Sequence, residues 1–160
     1  NKFRALVALG NPLLRAVIAE RLASMNVNLA NIVHPSAYIA PSASLGGGNT
    51  VCAHAVINSQ ALLKDHVLVN NSAIVEHDSI LHSFTTVCPG AKVGGRVELL
   101  EGAFICTGAI VLPRRVLGRY CVLAAGSILT EDLPDNVLAM GQPAKAVGKT
   151  SGDFDWRRLL

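Results

Sequence analysis

The segment from Ser72 to Gly95, SAIVEHDSILHSFTTVCPGAKVGG, concentrates the residues that can do chemistry. His77 is followed at once by Asp78. A neutral imidazole has an ordinary pKa of about 6.5 and takes a proton near pH 7. A neighbouring carboxylate holds its tautomer and raises its basicity. Together they can deprotonate an amine or hydroxyl as it attacks an acyl carbon. Gly95 closes the same segment. Its backbone N–H can donate to an oxygen on which negative charge develops, and the missing side chain permits close approach. The plainer readings are a solvated or capping histidine and a turn glycine beside Gly94. Spacing alone favours those, so the choice rests on the elements that carry the residues.

Those elements are set by a rhythm of six. From Val33, every sixth residue to Leu129 is Val, Ile or Leu: 17 positions without a slip. Neither a helix nor a half-buried strand has that period. Two residues before the aliphatic position a small residue recurs, at 12 of the 17 places, Ala37, Ala43, Ala55 and Ala61 among them. The pattern predicts a three-sided column. Each hexad makes one flat side and one corner, aliphatics point inward, and small residues fit where the chain bends. Three hexads complete a coil, and coils stack at the strand spacing of about 4.8 Å. Each coil buries its apolar face only by stacking on the next. Residues three hexads apart then lie above one another. Ile39, Ile57, Val75, Val93, Val111 and Leu129 form one inner ladder, and Gly95 lies one coil above His77.

Residues 1–33 read differently. Phe3 to Leu9 is a strand-like run ended by Gly10. Asn11 can cap a helix and Pro12 suits its first position. Leu13, Leu14, Val17, Ile18 and Leu22 recur at helical spacing. Val27 to Val33 reads as a second strand. The piece looks like the end of a βαβ unit whose beginning is absent, and it has no GxGxxG. The column is expected over 34–133. Residues 134–160 follow as a strand, a Gly-x-Pro turn, a further short strand and a tail whose last residues, DFDWRRLL, form a short helix packed around Trp156.

Composition agrees. Of 160 residues, 51% are hydrophobic, 16% charged and only 4% aromatic, which excludes disorder and asks for an aliphatic core. No run is long and apolar enough for a membrane span. The start lacks a secretory layout, which favours the cytoplasm. A formal charge of +3 is weak support for nucleic acid. The four cysteines form no CxxC pair. Cys88 and Cys106 stack on adjacent coils with outward side chains, where a disulfide is conceivable and a reduced pair is the expectation. Cys121 is expected in the core.

The run VEHDSIL…PGAKVGG, with TGA at 107–109, AAGS at 124–127 and GQPAK at 141–145, resembles the hexapeptide-repeat acetyltransferases. Within them it is similar to the sialic acid O-acetyltransferases and the nucleotide-aminosugar N-acetyltransferases of the bacillosamine type. The similarity covers essentially the whole chain, including ALVALGN and HPSA near the start. The resemblance implies a mainly β fold, a left-handed parallel β-helix carrying an N-terminal partial βαβ remnant. It implies acetyl-CoA as co-substrate without a metal, in a groove between the subunits of a homotrimer. His77 is then the base, Asp78 its assistant and Gly95 the oxyanion donor. Thr86 stands where bacillosamine-type members place a second, CoA-touching histidine. Thr107 and Ala125 match CoA-lining positions, largely through backbone. Lys145, in the GQPAK turn, can meet a CoA phosphate; Arg114, Arg115 and Arg119 can too, but a solvated basic face is the stronger reading for them. Gly10 and Asn11 border the acceptor, a sugar or nucleotide-linked amino sugar, attacked through an amine or a hydroxyl.

Two rival functions remain compatible with such a column. A γ-type carbonic anhydrase on this fold needs three zinc-binding histidines. His77 and His82 are suggestively five apart, but the third place, two coils before His77, is Pro41, and His54 and His66 fall off that ladder. The other rival is a non-catalytic trimeric scaffold.

Overall fold

The computed structural model describes residues 3–152 and 154–159. Seventeen two-residue strands follow one another every six residues, from β3 (Ile32–Val33) to β19 (Ile128–Leu129). From β3 to β16 (Ile110–Val111) each pairs in parallel with the strand three hexads on, as in Ile74↔Lys92 and Val75↔Val93. The result is a left-handed parallel β-helix of nearly six coils with three flat faces. The first face holds the inner residues Val33, Val51, Val69, Val87, Ile105 and Leu123. The second holds Ile39 to Leu129, and the third Leu45, Leu63, Leu81, Leu99 and Leu117. From Val51 to Leu129 these inner side chains are at most 1% exposed. The lowest coil differs: Val33 is 41% exposed, because no coil lies beneath it.

The corners have a common geometry. Every sixth residue from 48 to 126 has a positive φ, between 51° and 72°. Glycine fills five of these fourteen places, and bulkier residues such as Phe84, Arg96 and Tyr120 fill the rest. A non-glycine residue in this region costs about 1–2 kcal/mol. The repeat offsets that cost with a hydrogen bond, because from His66 upward each corner N–H donates to a carbonyl of the coil below. Asp78 N donates to Ser59 O at 3.0 Å, and Arg96 N to His77 O at 2.9 Å. The small residues follow directly after the corners. Ala55, Ala73, Ala91 and Ala109 have no more than traces of exposed surface.

The N-terminal run is shorter than its sequence suggests. β1 (Arg4–Ala5) pairs in parallel with β2 (Asn28–Leu29), and Ile32–Val33 already belong to the column. Between them lies α1 (Pro12–Ser24). Asn11 Oδ1 accepts from Leu13 N at 2.9 Å and Leu14 N at 3.2 Å, so the cap forms as expected. The helix is turned the other way from its apolar pattern. Pro12, Arg15 and Ala19 face the column, while Leu13, Leu14, Val17 and Ile18 are exposed.

At the upper end, β20 (Val137–Gly141) extends the first face and pairs antiparallel with β21 (Ala144–Lys149). A 3-10 turn at Trp156–Leu159 then lies across that face, with Trp156 set edge-on to Phe104 at 6.2 Å. Asp153 and Leu160, part of the expected terminal helix, lie outside the described residues. Cys88 and Cys106 are free thiols beneath this segment, 7% and 6% exposed, and Cys121 is fully buried in the core. Burial pushes Cys88 up to about 12, Cys106 to about 11 and Cys121 to about 12. No helix among the described residues is long and apolar enough to cross a membrane.

Candidate functional site

The three edges of the column carry different chemistry. His77 and Asp78 form the corner between the second and third faces. His77 Nδ1 lies 2.8 Å from Asp78 Oδ2. An ionised carboxylate only accepts, so Nδ1 of the neutral ring carries the proton and Nε2 keeps its lone pair. That hydrogen bond, with the Arg96 charge behind it, holds the Asp78 carboxyl below the usual carboxylate range. Arg96 Nε is 3.6 Å from Asp78 Oδ2, on the coil above. Both ring and carboxylate remain about half exposed.

Gly95 sits over the imidazole. A Cβ built on it would fall 2.7 Å from His77 Nε2 and 2.9 Å from Cε1. The position therefore needs glycine for close approach. Its carbonyl accepts from Arg114 N at 3.0 Å. Among the described residues its N–H donates to no protein group. The first corner residue regularly makes no backbone donation in this repeat, and a side chain reaches its amide only at some corners, as Asp65 reaches Gly47 at 2.7 Å. The three expected catalytic groups are thus brought together.

The remaining candidates gather elsewhere. Gly10, Thr86 and Thr107 line one cavity of about 270 Å³ on the outside of the first face, with Asn70, Cys88, Pro89 and Leu159. Thr107 and Ala125 stack at the edge between the first and second faces, beside Gly108 and Gly126. A Cβ at Gly90, Gly108 or Gly126 would meet nothing within 4 Å, so the edge is open at these three corners. Thr86 has a protein partner that its sequence does not reveal. It is 1% exposed, and its hydroxyl accepts from Arg15 Nη2 at 2.8 Å. Asn11 is occupied with capping α1. Lys145 is exposed, with Nζ 3.4 Å from Glu131. Arg115 and Arg119 face Asp132 and Asp135 at 3.6 and 3.9 Å. His77 stands on the edge opposite the first face, so within one copy of the chain a whole side of the prism separates its imidazole from this cavity.

The third edge is aromatic and docks α1. His66 stacks on Phe84, with ring centroids 5.2 Å apart. Tyr120, two coils above Phe84, donates to Glu101 Oε1 at 2.7 Å. Burial, with the nearby Arg15 charge, pulls the His66 imidazole below its ordinary value against the influence of Asp65. Arg15 is the residue that sequence reasoning missed. It is 2% exposed, and burial lowers its guanidinium to about 10, which leaves it charged at neutral pH. Only its place on the Pro12–Ala19 face of the helix could have singled it out.

His82 does not join His77 around a common point. Its Nε2 is 2.8 Å from Glu98 Oε1. Among the described residues, no three His, Cys, Asp or Glu side chains are grouped to hold a metal ion.

Known proteins resemble this one across its length. GDP-perosamine N-acetyltransferase from Caulobacter crescentus, solved in complex with CoA and GDP-perosamine, is 36% identical with a TM-score of 0.89, over 91% of this chain and 70% of that chain. The acetyltransferase domain of PglB from Neisseria gonorrhoeae, solved with acetyl coenzyme A, gives the same identity and TM-score over 91% and 71%. Serine acetyltransferase of Escherichia coli is 34% identical over 99 residues, 59% of this chain and 36% of its own. The chain thus spans about a third of the length of that curated relative. No family model matches the chain.

Proposed function

The chain belongs to the hexapeptide-repeat acetyltransferases, and from that premise we propose that it transfers the acetyl group of acetyl-CoA to an amine on a nucleotide-linked sugar. The single observation that carries the reading is the pairing on the second edge. An imidazole with its Nδ1 tied to a carboxylate lies against a glycine whose amide has no acceptor among the described residues.

The transfer then runs without a covalent enzyme intermediate. His77 Nε2 takes the proton of the attacking amine as the new C–N bond forms at the thioester carbon. Asp78 steadies the imidazolium. The Gly95 N–H receives the oxygen as it gains negative charge. Collapse re-forms the carbonyl, breaks the C–S bond and releases CoA thiolate, which picks up a proton from the solvent or from His77. An attacking hydroxyl would use the same groups. The amine is favoured because the two 36%-identical solved relatives include one complexed with GDP-perosamine and named for N-acetyl transfer.

The site is completed by a second copy. The glycine-bearing edge and the cavity beside Gly10, Thr86 and Thr107 offer the cofactor an unobstructed wall, with Ala125 above and Lys145 near the upper end for a phosphate. His77 belongs to another edge, so the base of one copy meets the cavity of its neighbour. Three-sided columns joined in a closed ring satisfy this for every copy, and a homotrimer follows. The N-terminal βα piece serves the nucleotide-sugar acceptor. Its exposed stripe of Leu14, Val17 and Ile18 suits a helix that packs against further βα structure.

The test is complementation. His77→Ala and Thr107→Trp are made separately and assayed with acetyl-CoA and a panel of nucleotide-linked amino sugars that includes GDP-perosamine. Each variant alone loses turnover, while His77→Ala keeps its affinity for CoA. Co-assembled in equal amounts, they recover about a quarter of wild-type activity, because one interface in four is intact. Near-normal turnover by His77→Ala alone refutes the base. Absence of any recovery on co-assembly refutes the shared site.

A further inference from the structure

We propose that Arg15 is a positioning residue for this transfer, fixing the acceptor edge at Leu9–Gly10 to the Phe84–Thr86 wall of the column. The inference rests on the acceptor assignment made above. It begins from a guanidinium that is buried without a carboxylate: none of the ion pairs among the described residues includes Arg15. Every donor is instead spent on neutral oxygens. Nε donates to His66 O at 3.0 Å, and Nη1 to Leu9 O at 2.6 Å and Gly10 O at 3.0 Å. Nη2 donates to Phe84 O at 2.6 Å, Thr85 O at 3.3 Å and Thr86 Oγ1 at 2.8 Å.

These acceptors come from three stretches far apart in sequence, and the arginine is their common point. The location matters as much as the count. Arg15 lines a cavity of about 180 Å³ with Leu9 and Gly10 on one side. Its partner Thr86 lines the 270 Å³ cavity, which Gly10 also borders. The side chain therefore ties the Leu9–Gly10 edge to the Thr86 wall and sets the distance from the acceptor edge to the cofactor wall. Burying a charge without an acidic partner is costly, so its burial is not accounted for by stability alone. A planar fork that spans three segments is suited to holding a spacing. Lysine keeps the charge but carries its donors on one atom and cannot reach all three.

Steady-state kinetics on Arg15→Lys and Arg15→Gln decide the matter, with GDP-perosamine and UDP- and dTDP-linked amino sugars as acceptors. The expected result for both variants is an acceptor KM raised about tenfold. Both kcat and the acetyl-CoA KM stay within about twofold of wild type. An Arg15→Lys enzyme with wild-type acceptor KM overturns the proposal. So does a loss confined to kcat, the mark of a smaller folded fraction. A wild type inactive on every acceptor defeats the functional reading itself and, with it, this role for Arg15. If neither variant folds, hydrogen exchange on the wild type with GDP-perosamine decides. Slowing at 9–11 together with 84–86 supports the coupling, and slowing at 9–11 alone overturns it.

Discussion

Replacing Gly95 with alanine tests the site at its tightest point. The added methyl carbon would lie 2.7 Å from His77 Nε2, 2.9 Å from Cε1 and 3.2 Å from Cδ2. Ordinary contact is about 3.5–4.0 Å, so the ring must retreat by about 1 Å. The backbone has little freedom to move instead. Gly94 N is bound to Val111 O at 2.9 Å, Arg96 N to His77 O at 2.9 Å and Arg114 N to Gly95 O at 3.0 Å. The ring itself is about half exposed and can swing outward. Stability should therefore change by less than about 0.5 kcal/mol, as for other surface substitutions. Catalysis should suffer far more. The swing stretches the 2.8 Å contact with Asp78 and, in the proposed transfer, displaces Nε2 from the attacking amine. A misplacement of about 1 Å costs about a hundredfold in rate, or about 2.7 kcal/mol of barrier. Thiol release from acetyl-CoA, followed with a nucleotide-linked amino sugar, should show kcat down by about that factor and the acetyl-CoA KM nearly unchanged. The melting temperature should move by no more than about 2 °C. A Gly95→Ala enzyme with kcat within about threefold of wild type would refute the placement of the base.

Asp78→Asn keeps the shape but removes the charge that fixes the Nδ1 proton. About a tenfold loss in kcat, smaller than that of His77→Ala, is expected from rate measurements on the two variants. The buried thiols titrate late. At pH 8 a thiol reagent should modify Cys52 slowly in the native protein and all four cysteines after denaturation; rapid modification of Cys88 or Cys106 would contradict their burial. Above the ordinary thiol pKa of about 8.5 the unfolded chain releases protons that the native thiols retain. Their contribution to stability is thus present below that pH and declines from about pH 9 upward, readable as a falling urea midpoint. Leu99→Ala, in the middle of the column, should cost about 3 kcal/mol, whereas Val33→Ala at the open lower coil should cost less than about 1. Equal losses in chemical denaturation would mean that the lower end is covered.

The column is readable in the sequence because every inner position repeats one environment. Val75, Val93 and Val111 stand on successive coils, and the same packing requirement selects each. The stacking of Gly95 on His77 follows from that register. The corners are harder to read. Phe84, Arg96 and Tyr120 adopt a positive φ through backbone bonds to the coil below, which no propensity of those side chains announces. The helix misleads for a related reason. Its apolar residues point to one buried face, yet Arg15 finds its acceptors on the other and turns α1 around. Thr86 is legible only by its place in a motif, whereas its hydroxyl is set by a helix far away in the chain. The run Phe3 to Leu9 has the composition of a long strand, but only Arg4–Ala5 finds a partner.

The uniform register has a bearing on how the molecule comes into being. Each ladder contact closes a span of three hexads, about a ninth of the chain's length. Parallel sheets ordinarily assemble slowly, because their pairings join distant segments. Here the separation falls in the range of fast-folding helical bundles. Once two coils have formed, each new hexad adds to an existing template, so the column can lengthen from the ribosome as the chain emerges. The grip of Arg15 on residues 84–86 joins far more distant segments and can close only after three coils are in place. Attachment of α1 is therefore a late event, and slowing it should leave the assembly rate of the column untouched.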